Sequence, residues 1–387
     1  MNKINKSKIG SFIISFFLVI TILLIYTNYL KNYIKENYNS DIYTTFDEPI
    51  RNKGTALLNN SLDKKDLLIM GSSELSSTVE QNIVNLFPNN EIDKVAAITG
   101  SAHVQSLLNA IKLGSLEVDK DNNVVIIISL QWFLGEEINY EGFNANFSKL
   151  QYYKLMENKN LSDDLKNRIA DRVNKLTLNT SENFDINIHS RLYDRPILSK
   201  LMFPFDKFNK SFLEIKDYYN SAKLTKERNG AFRKPKIDLD WTKLNNRAEE
   251  QGSASVSNND MMVDNYYYEE YLIPILDDVK DSNTNAELLT SNEFADFEIL
   301  LDLCKELNIK PYFVFTSTNG YYYDYTGLSK EKRHEFYDKV EDLATKRNFD
   351  YLDLRDYEYE KYFYKDVMHL GWKGWLYISE NIIEHFK

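Results

Sequence analysis

One uncharged apolar run near the N-terminus, IGSFIISFFLVITILLIYTNYL from Ile9 to Leu30, constrains this chain more than any other feature. As a helix it reaches about 33 Å, enough to cross the hydrocarbon core of a bilayer. Lys3, Lys6 and Lys8 precede it, as expected of a cytoplasmic flank. Lys31 and Lys35 follow, so the charge bias is modest and orientation is inferred from it. A cleavable signal peptide is the alternative. It fits worse, because the run is long and Tyr26-Thr27-Asn28-Tyr29-Leu30 offers no small-x-small cleavage site. The expectation is a cytoplasmic segment 1–8, an uncleaved transmembrane anchor 9–30, a polar membrane-proximal stalk 31–65, and an extracellular domain 66–387.

Past the stalk, short apolar runs alternate with helical patterns. Leu67–Met70, Val95–Ile98, Val124–Ile128, Pro311–Phe315 and Asp350–Leu354 read as strands. Ser101–Leu113, Phe294–Leu307, Ser329–Lys346 and Gly374–Phe386 carry apolar residues at helical spacing, and Ser329 is placed to cap its helix. Strands alternating with helices predict an α/β fold, a doubly wound parallel sheet covered on both faces. Gly135–Thr290 lacks that rhythm and reads as a mostly helical insertion on the same domain, with an independent second domain as the alternative. Leu161, Leu165, Ile169, Val173 and Leu176 mark one amphipathic helix in it, while Gln251–Asp260, QGSASVSNND, reads as a flexible loop.

Composition narrows the function. A net charge of -11 argues against a nucleic-acid partner, which would need basic patches. Lys330, Lys332 and Arg333 read as a solvated helix face. The single cysteine, Cys304, excludes an internal disulfide, gives no metal pattern and falls on the apolar side of a helix. Nothing suggests a metal or organic cofactor. The tyrosine clusters 266–268 and 321–323 are candidate aromatic platforms, set against a general compositional bias toward tyrosine.

In open parallel sheets, ligands bind at the carboxyl ends of the strands. Those ends read Gly71-Ser72-Ser73-Glu74, Thr99-Gly100-Ser101, Ser129-Leu130-Gln131-Trp132 and Thr316-Ser317-Thr318-Asn319. They form a small, hydroxylated, mostly uncharged rim, suited to acyl chemistry, where neutral donors meet a developing oxyanion. A serine nucleophile needs a base, and the chain has five histidines. His103 reads as helical, His189 falls in the insertion, His334 lies in a charged helix and His385 is near the end. His369 instead follows Asp366 by three residues in a loop, where the carboxylate can turn back onto one ring nitrogen. Asp366 could equally cap the next helix while His369 packs. The serine turn after the first strand tips the balance toward catalysis.

The serine turn lacks the second glycine of an α/β-hydrolase elbow, since Leu75 stands there. A Gly-x-Ser turn early and Asp-x-x-His late resembles the SGNH, or GDSL-like, hydrolases. With Gly71-Ser72-Ser73-Glu74-Leu75, Ser129-Leu130-Gln131-Trp132-Phe133, Ser317-Thr318-Asn319-Gly320 and Asp366-Val367-Met368-His369-Leu370-Gly371-Trp372-Lys373-Gly374-Trp375, the chain resembles the DltD family of D-alanyl-lipoteichoic acid biosynthesis proteins of Gram-positive bacteria. The resemblance implies a single-pass membrane protein acting in D-alanylation. Its acceptor would be lipoteichoic acid, and its partners a membrane-bound O-acyltransferase and other dlt operon products. It makes Ser73 the nucleophile, His369 the base and Asp366 its orienting partner, with Gly100 and Gln131 at the oxyanion hole. Two residues depart from the wider SGNH pattern: Ser72 replaces the aspartate of GDS, and Gln131 an asparagine. Ser72 therefore stands as a rival nucleophile. Two other functions share these features, a wall-polymer O-acetyltransferase or esterase, and a non-catalytic tethered presenter of the D-alanyl carrier or acceptor. Glu74 has no role in this reading.

Overall fold

Five short apolar runs form one sheet in a computed structural model that describes residues 3–178, 180 and 197–387. The strands are β1 (Leu67–Met70), β2 (Ala96–Thr99), β3 (Asn123–Ser129), β4 (Tyr312–Thr316) and β5 (Tyr351–Asp353). They pair in parallel in the order β2-β1-β3-β4-β5.

Alternate side chains of each strand go to opposite cores. Leu68, Met70, Ile126, Ile128 and Phe313 pack with the helices Ser106–Gly114, Glu293–Glu306 and Lys330–Thr345, and Cys304 lies in that core. Leu67, Ile69, Val125, Ile127 and Val314 pack on the other face with Trp375, Ile378 and Ile382 of the final helix, Trp372–Phe386. Burial on both faces is why β1 to β4 read as apolar runs, whereas the edge strand β5 buries only Leu352 and leaves Tyr351 and Asp353 half-exposed. This is the doubly wound sheet expected. The connection leaving β1 goes to one side to reach β2, and β3 lies on the other. That reversal opens a crevice at the carboxyl ends of β1 and β3.

One helix, Lys3–Glu36, contains the whole apolar run, and its side chains from Phe12 to Leu24 are largely exposed, as an anchor requires. Leu30 and Ile34 instead turn into the body. The segment expected as a polar stalk is folded from about Asn39 onward. Its short helices Ser40–Thr44, Pro49–Lys53 and Ala56–Asp63 bury Ile42, Tyr43 and Leu57 in one core with Ala97 of β2.

The described part of 135–290 is mostly helical, and Asp163–Thr177 buries Leu165, Ile169, Val173 and Leu176 as their spacing predicts. Three local expectations change. Residues 251–255 complete the helix Trp241–Ser255 rather than opening a loop, because Gln251 is held by Glu80 and Gln81 at 2.6 and 2.8 Å. The helix after β2 starts at Ser106, whose N–H is capped at 2.9 Å by the buried Glu293, so His103 lies in a loop with φ 67°. Arg333 is fully buried, paired with Glu358 and Asp324 at 2.9 Å each, and is no solvated residue. His385 stacks on Tyr312, and His189 lies outside the described residues.

Candidate active site

β1 ends at Met70, and the chain turns through Gly71 and Ser72 into a short 3₁₀ turn, Ser73–Ser76. Ser73 is thereby lifted to the mouth of the crevice. The opposing loop, Asp366–His369, follows β5 and leads to the final helix. Gly371 is required there, since a Cβ would sit 2.7 Å from the Tyr364 carbonyl carbon. Two contacts clasp the segments together: Ser77 donates to the Leu370 carbonyl at 3.0 Å, and Lys365 to the Thr78 hydroxyl at 2.8 Å.

The clasp brings three side chains into line. Ser73 Oγ lies 2.9 Å from His369 Nε2, and His369 Nδ1 lies 2.7 Å from Asp366 Oδ2. The other oxygen of Asp366 accepts the backbone N–H groups of Met368 and His369 at 2.9 and 2.8 Å. The loop thus folds around the carboxylate that orients the imidazole. This network assigns the proton to Nδ1 and leaves Nε2 to accept from Ser73. Burial pulls the His369 pKa down, but the hydrogen bond and charge of Asp366, with the charge of Glu74, outweigh it and hold it above the usual value.

Ser72 takes no part in this relay. It is 3% exposed, and its hydroxyl donates to the Ser101 carbonyl at 3.1 Å.

Gly100 follows β2 directly beside Gly71; a Cβ there would lie 2.4 Å from the Gly71 carbonyl oxygen. Its own carbonyl accepts from Asn52 at 2.8 Å, which fixes that peptide. The N–H groups of Ser73 and Gly100 donate to no backbone carbonyl among the described residues. Gln131, after β3, directs Nε2 to Glu74 Oε1 at 3.3 Å and keeps a second N–H.

Glu74 is the residue that sequence reasoning missed. It is fully buried, although it adjoins Ser73. One oxygen accepts the Ser72 N–H at 2.8 Å, and the other accepts the Trp132 indole at 3.1 Å as well as Gln131. Burial raises its pKa, while its hydrogen bonds and the nearby His369 oppose that. The available signal was the pairing of an acidic residue after β1 with Gln131-Trp132, two donors after β3.

The end of β4 departs from the expected open rim. Thr316, Ser317, Thr318 and Asn319 are all buried. Ser317 bonds to the Leu354 carbonyl and the Tyr364 hydroxyl, and Asn319 N–H donates to the Val367 carbonyl, so these residues support the Asp366–His369 loop from beneath. Beside His369 a cleft of about 390 Å³ opens, walled by Tyr266, Tyr267 and Tyr271 of the insertion. The second tyrosine cluster is packed instead: Tyr323 is buried and Tyr322 half-buried.

A model of the family described as DltD protein matches residues 45–387. Protein DltD of Bacillus subtilis (strain 168) is 30% identical over 393 residues, an alignment covering 99% of this chain and 98% of that protein. Protein DltD of Staphylococcus aureus (strain NCTC 8325 / PS 47) is 26% identical, covering 95% and 93%. Protein DltD of Lacticaseibacillus rhamnosus is 22% identical, covering 85% and 79%. A family match over residues 45–387, together with 30% identity to a relative covered almost end to end, identifies the protein as a member of the DltD family.

Proposed function

We propose that this chain is a serine-dependent acyltransferase that carries D-alanyl groups to lipoteichoic acid at the outer face of the membrane. Membership of the DltD family supports a role in D-alanylation. The observation that carries the catalytic part is the unbroken relay from Ser73 through His369 to Asp366, at 2.9 and 2.7 Å.

In the first step, Ser73 Oγ attacks the carbonyl carbon of a D-alanyl ester or thioester while His369 Nε2 takes its proton. The negative charge that develops on the carbonyl oxygen meets the Ser73 and Gly100 N–H groups, with the second N–H of Gln131 assisting. As the tetrahedral intermediate collapses, the carbonyl–carrier bond breaks and the carrier leaves with the proton from His369. A polyol hydroxyl of the acceptor then loses its proton to His369 and attacks the acyl-serine. Ser73 departs reprotonated, and the D-alanyl ester is on the polymer. The tyrosine-walled cleft beside His369 offers the acceptor a seat that limits water. Long-range attraction contributes nothing, since protein and polymer are both acidic.

Glu74 serves the site from below. As an acceptor for Ser72, Gln131 and Trp132 it ties the nucleophile turn to the turn after β3, and its charge favours the protonated form of His369. The test is mass spectrometry of the Ser73 peptide from membranes actively esterifying teichoic acid. The expected result is one alanyl group on Ser73 that accumulates when acceptor is withheld. An unmodified Ser73 under both conditions would contradict the acyl-enzyme route.

A further inference from the structure

The helix Ile197–Glu227 carries two large apolar side chains that the described body leaves bare: Phe208 is 69% exposed and Phe212 60%. They stand four residues apart on one face of the helix. The opposite face is engaged with the body. Lys210 pairs with Glu157, Glu214 lies 3.6 Å from Lys154, and Asp217 accepts the Thr55 N–H at 2.8 Å.

What the bare face meets follows from how this helix runs beside the anchor. Asn39, just past the anchor helix, donates to the carbonyls of Arg228 and Gly230 at 2.9 and 2.8 Å. Lys31, the first residue after the apolar run, lies over the Tyr218 ring at 4.7 Å, and Leu30 shares a core with Tyr218 and Ala222. Going from 39 to 31 along the anchor is therefore going from 228 to 218 along its neighbour. Phe212 and Phe208 lie beyond Tyr218 in that sense, six and ten residues further along their helix, while Lys210 and Glu214 between and beside them stay paired with the body and hold this stretch at the membrane surface. That is the direction in which the apolar run Ile9–Leu30 enters the bilayer. An exposed aromatic pair at this level, on a helix whose other face is held by ion pairs, has the chemistry of an interfacial membrane contact.

We propose that Phe208 and Phe212 insert into the lipid interface beside the anchor, so that the domain rests on the membrane at a second point. The inference depends on the reading of Ile9–Leu30 as a transmembrane anchor, and the experiment separates the two. The full chain is reconstituted in phospholipid nanodiscs. Single cysteines are introduced as Leu18→Cys, Phe208→Cys, Phe212→Cys and, on the β4 side of the sheet, Asp278→Cys. The native Cys304 is fully buried, so an environment-sensitive fluorophore labels the introduced site. Labels at 208 and 212 are expected to show a blue-shifted emission and to lose intensity when the lipids carry spin-label quenchers, as the label at 18 does and that at 278 does not. If 208 and 212 behave like 278 while 18 is quenched, the inference is overturned in favour of a protein partner for this face. If 18 is not quenched either, the anchor reading itself has failed, and the inference with it.

Discussion

Glu74 and Trp132 meet in the protein interior, the indole N–H donating to the carboxylate at 3.1 Å across the crevice between β1 and β3. The contact places a buried carboxylate directly behind the Ser73 turn. It also joins the two strand ends that build the site.

Replacing that carboxylate gives the first prediction. Glu74→Gln keeps the shape but turns one of two acceptor oxygens into an NH2 group that faces a donor, so at least one hydrogen bond is lost and the rest no longer reach a carboxylate, at a cost of about 1–3 kcal/mol in chemical denaturation. It also removes a charge that raises the His369 pKa, so the acid limb of Ser73 reactivity moves to lower pH. Rates of Ser73 labelling by a fluorophosphonate across pH measure that shift. A variant destabilised with an unmoved pH profile would leave Glu74 only a packing role.

The His369–Asp366 pair sets the pH dependence. The base must be neutral to act, and its pKa is raised, so reactivity falls as pH drops through a value above 6.5. The effect on stability has the opposite direction. The pair's contribution is full below the unfolded-state pKa of histidine and is lost as pH rises through the folded value. Asp366→Asn should therefore lower thermal stability in acid and little in alkali. It should also slow Ser73 labelling by roughly 10⁴, as loss of the orienting carboxylate does in other triads.

Ser72 and Ser73 separate cleanly. Ser72→Ala loses one hydrogen bond to the Ser101 carbonyl and about 0.5–1.5 kcal/mol, with labelling retained. Ser73→Ala removes labelling with stability almost unchanged.

Gly100→Ala tests the close approach of β1 and β2. Its Cβ would meet the Gly71 carbonyl oxygen at 2.4 Å, and forcing the two strand ends apart costs about 1–3 kcal/mol. Because the displaced peptide carries a proposed oxyanion donor, labelling should fall more than stability does, as read by comparing both on one preparation.

Sequence made the sheet and the relay legible for a common reason: both are written in local pattern. Each strand buried on two faces is a continuous apolar run, and Asp366 reaches His369 through a loop that wraps its own carboxylate. What sequence left hidden depends on partners far along the chain. Glu74 finds its donors at Gln131 and Trp132, Ser106 finds its cap at Glu293, and Arg333 is buried because Glu358 waits for it. Each of these polar residues reads as exposed until its distant partner is placed. The helix through Ser255 follows the same logic, since Gln251 is secured by Glu80 and Gln81 against a sequence rich in serine and glycine.

The central claim is that Ser73 is the acyl-carrying nucleophile of teichoic acid D-alanylation. D-alanine on lipoteichoic acid, measured in cells lacking the native protein and complemented with wild type, Ser72→Ala, Ser73→Ala or His369→Ala at equal membrane levels, tests it most directly. Wild-type esterification is expected with Ser72→Ala, and none above the uncomplemented background with the other two. Normal esterification with Ser73→Ala or His369→Ala would contradict the triad and favour a non-catalytic, presenting role.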